Sequence, residues 1–144
     1  MDLSIRKIEL KDASLVAGLT FQLGYQATEE EIKKRLREIL SDEKHCAFAA
    51  LDHDKVVGWI HGFYSTNLES GPFVEIGGMV VDESYRKKGI ARKLVEMVEG
   101  WSIQNGYNRL RVRSNVKRKA AHEFYKKIGF NETKEQKVFD KKIK

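Results

Sequence analysis

The chain contains one cysteine, one proline and no long apolar run. The lone Cys46 excludes an internal disulfide and a cysteine metal cluster, and its apolar setting, CAFAA, predicts a small buried side chain. No segment approaches the roughly 18 consecutive apolar residues that span a bilayer. Residues 1–10 also lack the apolar core of a signal peptide. The sequence therefore predicts a cytoplasmic protein without a membrane partner.

The composition predicts a single compact domain over residues 1–144. Hydrophobic residues make up 41% and charged residues 33% of the chain, which has neither repeats nor low-complexity segments. The net charge of +6 raises the hypothesis of nucleic-acid binding. Such a surface would need Arg109, Arg111, Arg113 and the basic tail in one exposed stripe. Since no helix-turn-helix, zinc-ligand or aromatic RNA-binding pattern accompanies these residues, we expect no nucleic-acid partner.

Hydrophobic periodicity predicts the element order βααβββαβαβ. The expected strands are residues 3–10, a hairpin of 46–51 and 56–64, then 73–81, 110–112 and a last one or two from residue 130 onward. The expected helices run from a cap at Asp12 to about Gln22, from the capping box of Thr28 and Glu31, from Ile90 to a stop at Gly106, and from Ala120 to a stop at Gly129.

The most informative segment is VVDESYRKKGIA, residues 80–91, where an apolar strand ends in a basic turn that leads into a helix. Free N–H groups at a helix start and the positive end of its dipole attract phosphate. Gly89 admits a close approach to the main chain, and Ala91 keeps the first helical turn slim. The pattern RxxGxA is neither GxGxxG nor GxxxxGK[ST], and it predicts a diphosphate site. The alternative is a solvated basic turn.

The strand before this turn carries two anomalies. Gly77 and Gly78 weaken a strand unless a bulge or a close backbone approach requires them. Glu75 is a costly residue in a buried strand unless it faces a polar cleft. Both features fit a ligand site one strand-length from the turn.

Two segments, VEIGGMVVDESYRKKGIA and SNVKRKAAHEFYKKIGF, resemble the acetyl-coenzyme A (acetyl-CoA) binding core of the GNAT family of N-acetyltransferases. The resemblance covers residues 73–130. It implies an α/β acyl-CoA N-acyltransferase fold, with a central mixed, mostly antiparallel sheet and helices on both faces. It also implies acetyl-CoA as the cofactor and a primary amine as the acceptor. Homodimers are frequent in the family, so a homodimer is a possible assembly.

The resemblance further implies two catalytic residues. A carboxylate at the position of Glu75 acts as the general base that frees the amine, directly or through water. The alternative is that Glu75 pairs with an arginine such as Arg113 on the neighbouring strand. A tyrosine at the position of Tyr125 hands a proton to the departing sulfur, the alternative being an aromatic side chain packed in the core.

The cofactor site is expected to combine main-chain and side-chain groups. The backbone of the strand end would pair with the pantetheine amides like an added strand, and one of its N–H groups would polarise the thioester carbonyl. Asn115 would bond the pantetheine arm, unless it only forms a turn. The predicted cofactor-binding residues are Met79, Val80, Val81, Arg86, Lys87, Lys88, Gly89, Ile90, Ala91, Asn115 and Tyr125.

The four histidines show neither HxxxH nor HExxH spacing, so no metal site is predicted. His45, His53 and His61 are expected at the surface. His122 lies one turn before Tyr125 and is a candidate for contact with the cofactor or substrate.

No credible nucleophile for a covalent acyl-enzyme is visible, which favours direct transfer in a ternary complex. The acceptor is expected to be a small-molecule amine of the aminoalkylphosphonate, aminoglycoside or polyamine type. Residues 65–72, rich in loop formers, and residues 23–28 are expected to shape its pocket. The alternative function is a CoA-binding regulatory or interaction module without turnover, with nucleic-acid binding as a third hypothesis.

Overall fold

A computed structural model describes residues 1–22 and 24–144. These residues form two compact units, Met1–Val112 and Arg113–Lys144. The first unit contains β1 (Leu3–Lys7), α1 (Ala13–Gln22), α2 (Glu29–Leu40), β2 (His45–Asp52), β3 (Lys55–Asn67), β4 (Gly71–Val81), α3 (Ile90–Gln104) and β5 (Leu110–Val112). The second contains α4 (Lys119–Lys127). The single-domain organisation stays a prediction.

The five strands form one sheet in the order β1-β2-β3-β4-β5. The first three pairings are antiparallel, whereas β4 and β5 run parallel. The sheet is therefore mixed and mostly antiparallel, as the sequence predicted. The predicted hairpin is formed by β2 and β3, which join at the pair Asp52 and Lys55.

Helices cover both faces of this sheet within the first unit. On one face, α1 packs on β3 and α2 packs on β2. On the other face, α3 approaches closely because β3 carries glycine at two facing positions. A Cβ built on Gly58 would lie 3.4 Å from side-chain atoms of both Ile90 and Leu94. A Cβ on Gly62 would lie only 2.9 Å from Val98.

The helix starts follow the predicted caps in part. Thr28 and Glu31 form the capping box, since the Glu31 N–H donates to Thr28 Oγ1 over 3.1 Å and the Thr28 N–H donates to Glu31 Oε1 over 3.0 Å. Asp12 lies in a 3₁₀ turn before α1, where the buried carboxylate accepts from the Glu9 N–H and from both terminal nitrogens of Arg6. The side-chain hydrogen bond from Arg6 lowers the pKa of Asp12. This ion pair ties β1 to the start of α1.

Two sequence-based expectations are corrected. Residues 65–72 are mostly strand, because β3 and β4 continue to a turn at residues 68–70. The structure assigns no strand to residues 130–144, so the last strand of the predicted order is absent from the described residues. This tail is dominated by charged and polar side chains, and its apolar residues Val138, Phe139 and Ile143 are exposed. No apolar face is buried there to stabilise a strand.

A third correction concerns the histidines expected at the surface. His53 is 76% exposed, but His45 and His61 are partly buried on neighbouring strands. Their rings stack on each other and on Phe63, with centroids 5.1 to 5.6 Å apart. Burial, with a smaller contribution from His45, lowers the pKa of His61 to about 4.

Among the described residues, no helix is both long and apolar enough to cross a membrane.

The close approach of α3 predicts the effect of enlarging Gly62. Gly62→Ala should lower the free energy of unfolding by about 1–3 kcal/mol, because the new methyl group would overlap Val98 and the Cys46 sulfur. Urea denaturation measures this change. The matched control is Gly100→Ala in α3, where a Cβ meets nothing within 4 Å and helix propensity should raise stability by up to about 1 kcal/mol. Equal stability of the two variants would contradict this packing.

The lowered pKa of His61 predicts a pH-dependent stability. The unfolded chain binds a proton at this ring below pH 6.5, whereas the folded chain does so only below about pH 4. The free energy of unfolding should therefore fall with decreasing pH in this window, by about 2–3 kcal/mol between about pH 7 and 4.5. Urea denaturation at both pH values should show that His61→Gln removes this part of the dependence, while His53→Gln retains it. Parallel pH curves for the wild type and His61→Gln would show that the expectation is wrong.

Candidate active site

A bulge interrupts the pairing of β3 with β4. His61 pairs with Gly78 and Gly62 pairs with Ile76, which leaves Gly77 as the extra residue of β4. A Cβ on Gly77 would lie 2.9 Å from His61 Nδ1, and a Cβ on Gly78 would lie 3.2 Å from the Trp59 ring. The predicted bulge is thus confirmed, and its glycines are required because aromatic rings of β3 pack directly on the backbone of β4.

Beyond the bulge, β4 has a free edge. The parallel strand β5 pairs with β4 only at Val74, Glu75 and Ile76. From Gly77 to Val81, no strand of the described residues pairs with β4 on that side. The main chain of Met79, Val80 and Val81 therefore runs along an edge that an extended ligand with amide groups can complement.

A cleft of about 500 Å³ opens in the first unit at the bulge. It is bounded by the bulged segment of β4, by side chains of β2 and β3, and by α1, α2 and the segment between these helices. Its lining residues are Ile8, Val16, Thr20, Tyr25, Gln26, Ala27, Ile32, Arg35, Leu36, Ile39, Ala47, Trp59, His61, Gly77, Gly78, Met79 and Val80. The lining is mostly apolar, with a few polar groups, as is usual for sites that bind small molecules.

Of the two segments expected to shape the acceptor pocket, only residues 23–28 contribute described lining residues to the cleft. Tyr25, Gln26 and Ala27, from the predicted segment 23–28, line the cleft, whereas Leu23 lies outside the described residues. Residues 65–72 are not among the described lining residues.

The basic turn between β4 and α3 has the geometry of an anion-binding loop. Lys87 and Gly89 both adopt left-handed backbone conformations, with φ of 62° and 81°. Gly89 provides no side-chain cap for α3, so the N–H groups of the first helical turn are left for an anion to bind. The residues from Arg86 to Gly89 are exposed, while Ile90 is buried and anchors the helix start. The half-buried Ala91 follows in the first helical turn.

Glu75 forms an ion pair with Arg111, its register neighbour on β5. Arg111 donates to Glu75 Oε1 through two nitrogens at 3.0 and 3.3 Å, and both side chains are mostly buried. The guanidinium also lies 3.9 Å from the centroid of the Phe73 ring. Arg111 is thus turned toward Glu75, rather than presented in an exposed stripe. Glu75 is not among the described lining residues of the cleft, and its role as base stays a prediction.

Tyr125 and Asn115 belong to the second unit. Tyr125 lies on α4 with its ring against Phe124 and Phe130, at centroid distances of 5.3 and 5.5 Å. Burial raises the pKa of the Tyr125 hydroxyl, so it keeps its proton at neutral pH. Asn115 forms a turn, because its side-chain oxygen accepts from the Lys117 N–H over 2.9 Å and its carbonyl lies 2.8 Å from Nε2 of His122. The roles of Asn115 and Tyr125 at the cofactor stay predictions.

Cys46 is buried, as the sequence predicted. Burial raises the pKa of the thiol to about 12, so the reactive thiolate is not formed at neutral pH.

Several cleft residues were not identified from the sequence, among them Thr20, Arg35, Trp59 and His61. Trp59 Nε1 donates to Thr20 Oγ1 over 3.1 Å, and Thr20 in turn donates to the Val16 carbonyl. His61 lies two residues from Trp59 on the same face of β3. The alternation of Trp59, His61 and Phe63 was the available signal, since a histidine between two aromatic residues of one strand face is expected to share their burial.

The residues present fit a coenzyme A molecule. The turn offers N–H groups that no side chain caps and exposed cations for phosphates, and the edge of β4 offers main-chain groups for the pantetheine amides. Added side chains at Gly77 and Gly78 would collide with the rings that border this edge.

Comparisons with known proteins agree with this geometry. The model of the acetyltransferase (GNAT) family matches residues 12–130. The chain is 32% identical over 143 residues to an uncharacterized N-acetyltransferase of Chlorobaculum tepidum, covering 99% of this chain and 83% of that protein. It is 29% identical over 121 residues to the aminoglycoside N(6')-acetyltransferase type 1 of Serratia marcescens, covering 78% and 80% of the two chains.

A solved structure shares the fold. AAC(6')-Iy, in complex with the bisubstrate analog CoA-S-monomethyl-acetylneamine, superposes with a TM-score of 0.88 at 20% identity, covering 99% of this chain and 100% of that chain. The predicted fold class and the predicted acetyltransferase are confirmed, and the CoA portion of that analog agrees with the predicted cofactor. With a family model that spans most of its length, this chain belongs to the acetyltransferase (GNAT) family.

Proposed function

We propose that the protein transfers the acetyl group of acetyl-CoA to the primary amine of a small molecule bound in the cleft. The observation that carries this proposal is the free edge of β4, which begins at the Gly77 bulge beside the cleft and leads to the basic turn before α3. One continuous stretch of main chain thus offers groups for the pantetheine arm and for the phosphates.

Each part of this stretch has a role. Met79, Val80 and Val81 hold the pantetheine amides, and the N–H groups around Gly89 hold the diphosphate with the cations of the turn. Acetyl-CoA, when bound, supplies an acyl group activated as a thioester. One main-chain N–H of this strand end would polarise the acyl carbonyl.

We infer that the transfer is direct. Cys46 is buried and is not among the described lining residues of the cleft. Thr20 lines the cleft, but its hydroxyl donates to the Val16 carbonyl and accepts from Trp59. Neither side chain is prepared to form an acyl-enzyme, so the amine attacks the thioester in a ternary complex.

The lining of the cleft favours one class of acceptor. The described lining residues include no aspartate or glutamate, and Arg35 is the one residue among them with a permanent charge. A polyamine or an aminoglycoside carries several ammonium groups that would be desolvated without partners here. An amine with a single ammonium group and an apolar or anionic body, such as an aminoalkylphosphonate, suits this lining better. Arg35, which also lies 3.7 Å from Glu31 in an exposed ion pair, would pair with the anion.

Three further residues are candidates for roles in catalysis and in cofactor binding. Glu75, held by Arg111, is the base predicted from the family resemblance, and Tyr125 is the predicted acid for the sulfur. Asn115 is the predicted partner of the pantetheine arm. The cytoplasmic location and the possible homodimer also stay predictions.

An amine panel tests the activity. With acetyl-CoA present, release of free thiol should be fastest with aminoalkylphosphonates and apolar monoamines, and at least about tenfold slower in kcat/KM with neamine or spermidine, since burying each unpaired charge costs more than 1.4 kcal/mol. Preference for neamine would overturn the proposed acceptor class. Coenzyme binding without thiol release from any amine would favour a binding module instead.

A pair of glycine variants tests the diphosphate site. Gly89→Val should weaken coenzyme A binding at least about tenfold, because it strains a backbone at φ 81° whose N–H groups hold the phosphates. Isothermal titration calorimetry measures the affinity. Gly106→Val is the matched control, since Gly106 has φ 82° in equally open space at the other end of α3. Equal affinities of the two variants would place the phosphates elsewhere.

A further inference from the structure

Two histidines form a hydrogen-bonded pair that reaches the cleft. Nδ1 of His45 on β2 lies 2.9 Å from Nε2 of His61 on β3, and the two ring planes differ by 4°. Both contact atoms are ring nitrogens, so one must carry the proton and the other must accept it. The tautomers of the two rings are therefore coupled: the proton position on His45 fixes the one on His61.

The outer end of the pair faces a carboxylate near solvent. Nε2 of His45 lies 3.7 Å from Oδ2 of Asp42, and the two side chains are 28% and 49% exposed. The other oxygen of Asp42 accepts from the Lys44 N–H over 2.9 Å, and the His45 N–H donates to the Asp42 carbonyl over 3.1 Å. The turn before β2 thus orients the carboxylate toward the outer nitrogen of His45.

The inner end of the pair faces the bulge. His61 lines the cleft, and its Nδ1 is the atom that a Cβ on Gly77 would approach to 2.9 Å. No residue that the structure describes forms a hydrogen bond with this nitrogen. A line of polar atoms therefore runs from solvent through Asp42, His45 and His61 to the bulge, with a hydrogen bond between the two rings and a 3.7 Å separation between His45 and Asp42.

The carboxylate selects the tautomers. A negative charge beside Nε2 of His45 favours the proton on that nitrogen, which leaves Nδ1 of His45 to accept from Nε2–H of His61. Nδ1 of His61, the atom next to Gly77 at the bulge, is then left unprotonated. In this arrangement His61 is ready to accept a proton, and His45 is already in place to accept the next one.

We propose that His61, His45 and Asp42 form a proton relay that deprotonates the acceptor amine, in place of the base predicted at Glu75. The proposal rests on the proposed acetyl transfer. The ammonium of the acceptor gives one proton to Nδ1 of His61, while Nε2–H of His61 passes to Nδ1 of His45. The proton on Nε2 of His45 passes to the Asp42 carboxylate, once the two side chains close from 3.7 Å to hydrogen-bond distance, and then to water. The free amine forms the C–N bond, the thioester C–S bond breaks with its electron pair on sulfur, and the sulfur takes the second proton of the amine.

The relay explains why two histidines are needed. Burial lowers the pKa of His61 to about 4, so a positive charge at that ring is unfavourable and the proton must move on. His45 is 28% exposed and lies 3.7 Å from a carboxylate oxygen of Asp42, so it offers the proton a way toward solvent. Both rings are neutral before and after the passage, and exchange with water restores the starting tautomers.

Other charged groups share this face of the sheet and affect its pH dependence. Glu75 lies opposite Phe63 on β4 and pairs with Arg111 of β5. Arg35 of α2 and Tyr25 line the cleft with His61. The groups to consider beside the pair are thus Asp42, Arg35, Tyr25, Glu75 and Arg111.

Nuclear magnetic resonance tests the tautomers without any turnover. Long-range ¹H–¹⁵N correlation spectra of the full chain at neutral pH should show His61 protonated at Nε2 and unprotonated at Nδ1, and His45 protonated at Nε2. A proton on Nδ1 of His61, or a cationic His61 at neutral pH, would overturn the relay. This measurement does not depend on the acetyl-transfer activity.

Kinetics test the passage of the proton. His61→Gln should lower kcat at least about 100-fold and His45→Ala about tenfold, both with little change in coenzyme A affinity by calorimetry. Added imidazole should restore part of the kcat of His45→Ala, which a purely structural role of His45 does not predict. His53→Ala, at an exposed position, is the control and should keep the wild-type kcat. Thermal unfolding by circular dichroism verifies that each variant is folded.

The outcomes separate the relay from the proposed function. A large loss in Glu75→Gln together with wild-type kcat in folded His61→Gln would overturn the relay and assign the base to Glu75. Absence of imidazole rescue in folded His45→Ala would overturn the step through His45. If the wild-type protein releases no thiol with any amine, the proposed function fails, while the tautomer measurement still tests the hydrogen-bonded line.

Discussion

The pairing of β4 changes on both of its edges at the same place. Gly77 is an extra residue relative to β3, and one residue earlier β5 ceases to pair with β4. A continuous sheet would satisfy the main-chain groups of residues 77–81 on both sides and would leave no site. Because the ladder is interrupted, part of this main chain is available to a ligand, and the cleft opens beside it.

The interruption depends on two glycines of β4, which have no side chain. A Cβ at residue 77 would lie 2.9 Å from the His61 ring and a Cβ at residue 78 would lie 3.2 Å from the Trp59 ring, so glycine at both positions lets aromatic side chains border the bulge closely. Glycines also allow close packing on the opposite face of the sheet, where Gly58 and Gly62 let α3 approach β3. The face of β3 that borders the cleft and the face that packs on α3 are thus built from alternate residues of one strand, which is the period of a pleated backbone.

The sequence predicted several features because their determinants are local. The Thr28 and Glu31 capping box, the glycine stops of α3 and α4, the hairpin and the bulge follow from residues close together in the chain. The family resemblance added the fold class and the cofactor. The last predicted strand was wrong for the described residues, because Val138, Phe139 and Ile143 do not bury an apolar face among the charges of the tail. The turn-forming composition of residues 65–72 predicts a loop, whereas pairing between β3 and β4 extends both strands into this segment.

By itself, the sequence determined that the chain folds around an apolar core, that β4 is broken by glycine, and that a basic turn precedes α3. Only the tertiary structure decided which polar side chains meet. Arg111 rather than its neighbours lies in register with Glu75, and His45 reaches His61 from 16 residues away. These contacts depend on the register of the strands and on which face of the sheet each side chain occupies. Both are set by long-range packing, so they cannot be inferred from the spacing of residues along the chain.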